Sequence, residues 1–331
     1  MAENHSSETH VTMTHLLERC CRSAIVTALL LVADIALCQE SPTAAEVLRI
    51  RWVNPPAQTP AGVRHGTFRS ACMDTSVGYN VYLPPSYDQD SGRRFPVVYF
   101  LHGSTGNESR SIRLAIYLDK AIRAKDVSPM LMVFVNGGRN SGYIDSVDGT
   151  VRPETMIIDE LIPHIDAAYR TVAERHGRAV QGFSMGGGGA LRIAAKYPDL
   201  FSSVVVYGAG GVREFEHLPT AEEMDDVDKA KRKLPVKMIL MGKDLAYWRE
   251  TGTWYLLESN QQRIAGRLPI RIVIGTEDYS LTSSKSTRDR LADLKIGYEF
   301  SLVHGPDHNI YKLYDHAGVE CFQLHDKHFA K

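Results

Sequence analysis

A run of four glycines, Gly186–Gly189, stands in QGFSMGGGGAL (181–191), directly before residues that read as a helix, ALRIAAKYPDLF. Each glycine inside a helix costs about 1 kcal/mol relative to alanine, so three or four together cost on the order of 3 kcal/mol. A chain that keeps them needs its backbone to come close to something at that place. The run also follows RAVQGFS (178–184), which reads as a strand of the buried type.

In that strand-to-helix context Gly182, Ser184 and Gly186 fit G-x-S-x-G, a sharp turn that exposes a serine while small neighbours let strand and helix touch. Gly187–Gly189 extend the same logic along the helix face. The start of that helix offers free N–H groups and a dipole that favour negative charge. Other glycine motifs fail on the residues that follow. A phosphate loop needs Lys-Ser/Thr where Ala190 and Leu191 stand, and Leu191 also occupies the third glycine position of a dinucleotide fingerprint.

Short apolar runs recur along the chain: YNVYLPP (79–85), PVVYFLHG (96–103), MLMVFVNGG (130–138), SSVVVYGAG (202–210), VKMILMG (236–242), IRIVIGTED (270–278) and YEFSLVHG (298–305). Most are continuously apolar, as strands covered on both faces are. Helical patterns lie between several of them, including PETMIIDELIPHIDAAYR (153–170), which opens with a proline suited to a first turn, and SSKSTRDRLADLK (283–295). This alternation predicts an α/β fold with a mostly parallel central sheet and helices on both faces. The longer, more polar stretch 212–266 is expected to supply walls or a partial lid.

The N-terminus differs from this pattern. Arg19 and Arg22 precede an apolar stretch from Ala24 to Ala33, and a second short apolar run, with the small Ala36 in it, ends at Cys38. That describes a secretory signal peptide over 1–38, too short for a comfortable membrane span and implying a secreted or periplasmic protein. A lipoprotein anchor at Cys38 is the runner-up. Residues 39–65, rich in Pro, Ala and Thr, read as a linker or N-terminal arm, and 66–331 as one functional domain. Of the five cysteines only Cys72 and Cys321 fall outside the leader. A bridge between them is open, and no cysteine–histidine cluster has zinc spacing. With 38 basic and 39 acidic residues, no basic excess points to nucleic acid.

A serine nucleophile needs a base, and the base needs an orienting acid, here in the chain order Ser, acid, His. There are 13 histidines, so order alone does not choose among them. Position does: Asp278 closes the run 270–278 and His308 lies just past the run 298–305, at the edge where open α/β sheets bind ligands. Ser184, Asp278 and His308 are therefore the candidate catalytic residues, with Glu277 as the alternative acid and His304 as the alternative base. Asp307 reads as a turn former in GPDHN. The backbone N–H groups of Met185 and of Ser104, in FLHGSTGNE, are the candidate oxyanion donors. His102 is expected to fix that loop rather than to react.

The segments YNVYLPPSYDQDSGRRFPVVYFLHGSTGNE, RAVQGFSMGGGGALRIAAKYPDLFSSVVVYGA, IGTEDYS and VHGPDHN together resemble the putative-esterase family, roughly from Gly66 to Tyr314. That family includes feruloyl and acetyl xylan esterases of carbohydrate esterase family one, esterase D-type enzymes and mycolyltransferases. The resemblance implies an α/β-hydrolase fold and a serine esterase without cofactor. Its substrates would be small-molecule or polysaccharide-linked esters, with feruloyl or acetyl esters of plant polysaccharide the leading class. An acyltransferase on the same triad, or a catalytically silent binding domain, is the alternative. The segment NSGYIDSVDGTVRPET resembles a loop near the acyl site of secreted members, which puts Tyr143 and Asp148 in the substrate rim. One departure is local. Pro306 and Asp307 precede the histidine where members often have two glycines, and Asn309, Ile310 and Tyr311 follow it in place of an acid and a tryptophan.

Overall fold

Five unbroken apolar residues, Val97–Leu101, form β3 in the middle of the sheet, and their alternating side chains feed two separate cores. The computed structural model describes residues 43–208 and 236–329. Around β3 lie β1 (Val63–Ser70), β2 (Thr75–Tyr82), β4 (Leu131–Val135), β5 (Arg178–Phe183), β6 (Val204–Tyr207), β7 (Ile270–Gly275) and β8 (Glu299–Val303). Their order is β1-β2-β4-β3-β5-β6-β7-β8. The β1–β2 and β2–β4 pairings are antiparallel and the others parallel. The expected α/β architecture is the one observed.

Val97, Tyr99 and Leu101 point to the face covered by the helical stretch 153–168 and the helix Met185–Lys196. Leu256, Leu257 and Leu291, from later helices, complete that core. Val98 and Phe100 point to the opposite face, against helices Leu114–Ala124 and Ile310–His328, where Leu118, Leu313 and Phe322 are fully buried. Strands buried on both faces read as continuous apolar runs because neither side of the pleat meets water. The stretch 153–168 is α-helical at both ends with a π-helical turn at Met156–Leu161. Asp145 caps its start by accepting from the N–H groups of Glu154 (2.9 Å) and Thr155 (3.2 Å).

Three expectations change. The run 236–242 is a helix, Val236–Met241, not a strand. A short apolar run fits either element, and the tertiary context decides: β6 pairs directly with β7, while Leu240 and Met241 join a third, smaller core with Ala44, Leu48 and Trp248. The residues at 63–65, assigned to the arm, already belong to β1, which pairs with β2 from Val63↔Tyr82 onward. The helix Thr253–Ser259, in the stretch expected to supply walls or a partial lid, packs into the main core through Leu256 and Leu257. The rest of the supposed lid up to residue 235, and the leader 1–38 with Cys20, Cys21 and Cys38, lie outside the described residues.

The arm is laced to the domain through its main chain. Ala44–Leu48 forms a short helix, and the chain then runs beside β2, where the Gly78 N–H donates to the Trp52 carbonyl at 2.7 Å. The Asn136 amide donates to the carbonyls of Arg51 (3.2 Å) and Trp52 (2.9 Å). The wholly buried carboxylate of Glu108 accepts from the Asn54 backbone N–H and from its side-chain amide (3.0 Å), and the Ser109 hydroxyl donates to the Asn54 carbonyl at 2.5 Å. Cys72 and Cys321 are both free thiols.

Candidate active site

At the end of β5 the chain turns through Ser184 with φ 57° and ψ −121°, a conformation an L-residue adopts only under constraint, and enters the helix at Met185. The constraint is visible in the backbone. The Ser184 N–H donates to the Tyr207 carbonyl at 2.8 Å, and its own carbonyl accepts from Gly188 at 3.1 Å. A Cβ on Gly182 would overlap the Gly186 carbonyl, and one on Gly186 would overlap the carbonyl of Leu101 in β3. The strand, the turn and the helix therefore touch backbone to backbone, and that contact offsets the cost of the glycine run. The last glycine has a different neighbour: a Cβ on Gly189 would stand 2.6 Å from the ring of Tyr143.

The three candidate catalytic side chains converge. The imidazole of His308 lies with Nε2 2.8 Å from Ser184 Oγ and Nδ1 2.8 and 2.9 Å from the two oxygens of Asp278. A carboxylate only accepts, so Nδ1–H donates to Asp278 and Nε2 is left to accept from the serine hydroxyl. Asp278 also accepts from the Ser280 N–H and hydroxyl, both at 2.7 Å. Burial pushes its pKa up, but the bonds from His308 and Ser280 outweigh this and hold it below the usual carboxylate range. The imidazole is flanked by Phe183 (4.6 Å between centroids) and by Tyr279 (4.3 Å), which is 78% exposed.

The loop after β3 faces the serine from the other side. His102 is buried; its Nδ1–H donates to the Gly103 carbonyl at 2.8 Å and its Nε2 accepts from the Gly137 N–H at 3.3 Å, which sets the tautomer. Burial lowers its pKa to about 4, so the ring stays neutral and structural. The Ser104 carbonyl is held by the Asn140 N–H at 2.8 Å, and Gly103 and Ser104 share the cleft with Ser184. Met185 is the first residue of its helix, so its N–H has no intrahelical acceptor. The cleft holds about 340 Å³ and is lined by the 103–106 loop, Arg110, Ser111, Phe183, Ser184 and the residues around Tyr279 and His308.

Two expected rim residues are elsewhere. Tyr143 is fully buried, with its hydroxyl donating to the His102 carbonyl at 2.9 Å, so it props the loop from beneath instead of meeting a substrate. Asp148 accepts from the Ala44 N–H (2.7 Å), Ser146 (2.5 Å) and Thr150, which fixes the arm helix and its own turn. Of the alternatives, Glu277 and His304 are exposed and make no contact with Ser184, and Asp307 pairs with Lys312 at 3.0 Å. Tyr279, Ser280 and Arg110 were not singled out from sequence. Only Ser280 had a local signal there, as the second residue after an aspartate, where such side chains close turns. Among the described residues no group of three or more His, Cys, Asp or Glu is arranged to hold a metal ion, no helix is long and apolar enough to cross a membrane, and none of 236–266 lines the cleft.

A serine held on a strained strand-to-helix turn at the C-terminal edge of this sheet defines an α/β-hydrolase. The chain belongs to the family described as "Putative esterase", which matches residues 70–306. Esterase Rv1288 of Mycobacterium tuberculosis is 41% identical over 140 residues, 41% of this chain and 30% of that protein. An endo-1,4-beta-xylanase/feruloyl esterase of Xylanibacter ruminicola is 31% identical over 152 residues, 42% of this chain and 21% of that protein. The match thus covers less than a third of either relative. Among solved structures, a ferulic acid esterase superposes with a TM-score of 0.67 at 21% identity, covering 81% of this chain and 98% of its own. An S-formylglutathione hydrolase from Agrobacterium tumefaciens gives 0.66 at 19%, covering 82% and 98%. These two likenesses establish the shared fold.

Proposed function

We propose that this chain hydrolyses carboxylic esters through an acyl-enzyme on Ser184. The observation that carries the reading is the single imidazole within 2.8 Å of both the Ser184 hydroxyl and the Asp278 carboxylate. Ser184 Oγ attacks the ester carbonyl as its proton passes to His308 Nε2, and Asp278 stabilises the imidazolium that forms. The N–H groups of Met185 and Ser104 hold the oxyanion. Collapse breaks the ester C–O bond, and the departing alkoxide takes the proton from Nε2. A water then gives its proton to Nε2 as it attacks the acyl carbon; collapse breaks the bond from that carbon to Ser184 Oγ, which takes the proton back from Nε2 as the acid leaves. The leading acyl groups are feruloyl and acetyl. The feruloyl choice is supported by family membership and by the names of the xylanase/feruloyl esterase relative and the ferulic acid esterase neighbour.

The test is kcat/KM on p-nitrophenyl acetate, methyl ferulate and acetylated xylan, with Ser184→Ala as control. The expected result is turnover by the wild type and a loss of about 10⁴-fold or more in the variant. Equal activity in the two proteins overturns the mechanism. Cleavage of the activated acetate alone keeps the mechanism and removes the plant-polymer substrates.

A further inference from the structure

The cleft beside Ser184 carries one positive charge with no acidic counterpart. Arg110 lines it and is exposed, and among the described residues no carboxylate lies within ion-pair distance of its guanidinium. No aspartate or glutamate is among the lining residues. Of the acids beside the base, Asp278 is engaged by His308 and Ser280 and Asp307 by Lys312 at 3.0 Å, while Glu277 is exposed and stands outside the cleft lining. The neighbouring Arg113 has its guanidinium 5.5 Å over the Tyr311 ring. The helix that starts at Ile310 is closed to an anion, because the Asn309 side chain accepts from the N–H groups of Tyr311 (3.0 Å) and Lys312 (3.4 Å). The main chain at Arg110 is tied to the far wall of the cleft, where the Tyr311 hydroxyl donates to its carbonyl at 3.3 Å.

From this we infer that the preferred esters carry a carboxylate, which Arg110 engages while the ester carbonyl sits at Ser184. A single unpaired guanidinium offers a planar two-pronged donor that matches one planar carboxylate. The exposed ring of Tyr279 gives the body of such a substrate an apolar surface next to the base. The volume of about 340 Å³ lies at the small end for ligand sites, which suits a compact ester. This inference rests on the esterase reading and narrows it to a substrate class.

The test uses two pairs of esters matched except for charge. The first is 4-acetoxybenzoate against 4-acetoxybenzamide, with the charge on the leaving group. The second is mono-4-nitrophenyl succinate against the 4-nitrophenyl ester of succinamic acid, with the charge on the acyl group. The quantity read is the charged-over-neutral ratio of kcat/KM in wild type, Arg110→Gln and Arg110→Lys. In one pair Arg110→Gln is expected to cut that ratio about tenfold at low salt, with Arg110→Lys retaining part of it and added salt shrinking it. The pair that responds tells which side of the ester Arg110 reads. Turnover with the same ratios in wild type and Arg110→Gln overturns the inference and leaves the esterase reading standing. A second measurement needs no turnover: calorimetric binding of 4-hydroxybenzoate, 4-hydroxybenzamide, succinate and succinamate to Ser184→Ala, with and without Arg110→Gln. Charge-selective, Arg110-dependent binding there, with a wild type that cleaves none of the esters, keeps the anion site and removes the esterase. Neither cleavage nor charge-selective binding removes both.

Discussion

The two sides of Ser184 are built in different ways. On one side, β3, β5 and the helix from Met185 meet backbone to backbone, with Gly182 and Gly186 in the contact and Tyr143 filling the space beside Gly189. On the other side the parts are side chains carried past the ends of β7 and β8: Asp278, Tyr279 and His308. The first side is fixed by packing, so a change there should register as lost stability. The second is fixed by a few hydrogen bonds at a cleft, so a change there should register as lost rate. The contrast extends to the two histidines. His102 is enclosed and neutral, with both ring nitrogens committed to backbone, whereas His308 has one nitrogen aimed at the Ser184 hydroxyl.

The sharpest way to break this contrast is at Asp278. Asp278→Asn should lower kcat by about 10³- to 10⁴-fold, because the imidazole loses its orienting acceptor, while circular dichroism and cooperative unfolding persist. Collapse of the fold instead would place Asp278 with the packed side. Next in size is Gly186→Ala. Its new methyl overlaps the Leu101 carbonyl, and backbone cannot swing away as a side-chain tip can, so a loss of about 4 kcal/mol or more is expected in urea unfolding. A variant that unfolds at the wild-type midpoint would deny the backbone contact.

Acid should act on the packed side through His102. The unfolded chain binds a proton at this ring below about 6.5, whereas the folded ring resists it until about 4. Folding stability should therefore fall as pH drops from about 6.5 to about 4, then level, by about 3 kcal/mol for this one group. His325, held to about 3 by burial, adds to the same slope. Replacing His102 by Gln should flatten the slope by about one proton; an unchanged slope would mean that His102 titrates freely. The smallest effect is expected at Tyr279. Tyr279→Ala removes an exposed ring that flanks His308, and kcat/KM should fall only about two- to tenfold with stability unchanged, since the ring supports nothing behind it.

The same contrast explains what could be read from the sequence. The elbow was legible because its demands are local: a buried strand, a serine between glycines and a helix follow each other in the chain. Asp278 and His308 were legible because each stands just beyond an apolar run, and a parallel sheet brings all such ends to one edge. The helix at 236–241 was not, because its apolar run is too short for periodicity to separate the two elements, and the third core that claims it is assembled from the arm and from Trp248. β1 was missed because its only buried apolar side chains, Val63 and Phe68, stand an odd number of residues apart and so on opposite faces, leaving neither a continuous apolar run nor an alternation to read. Tyr143 was assigned to the rim because its segment resembles a family loop near the acyl site, and a resemblance of sequence does not say which way a side chain faces. The glycines that make room for its ring lie at 137 and 189, and nothing in the local sequence joins the three.

The lacing of the arm carries a consequence of its own. At Arg51, Trp52 and Asn54 the contacts run largely through carbonyl and amide groups of the main chain, and they end on Glu108 and Ser109, a few residues along from the loop that bears Ser104. Main-chain atoms are the same whatever residue supplies them, so apart from Ile50 and Trp52, which pack on the cores, and Asn54, whose amide meets Glu108, this stretch can drift in spelling at little cost. It cannot change its count. One residue inserted or removed between the Ala44–Leu48 helix and Asn54 shifts every partner out of register, which makes the arm a ruler for the loop at 103–106 and indels there far harsher than substitutions.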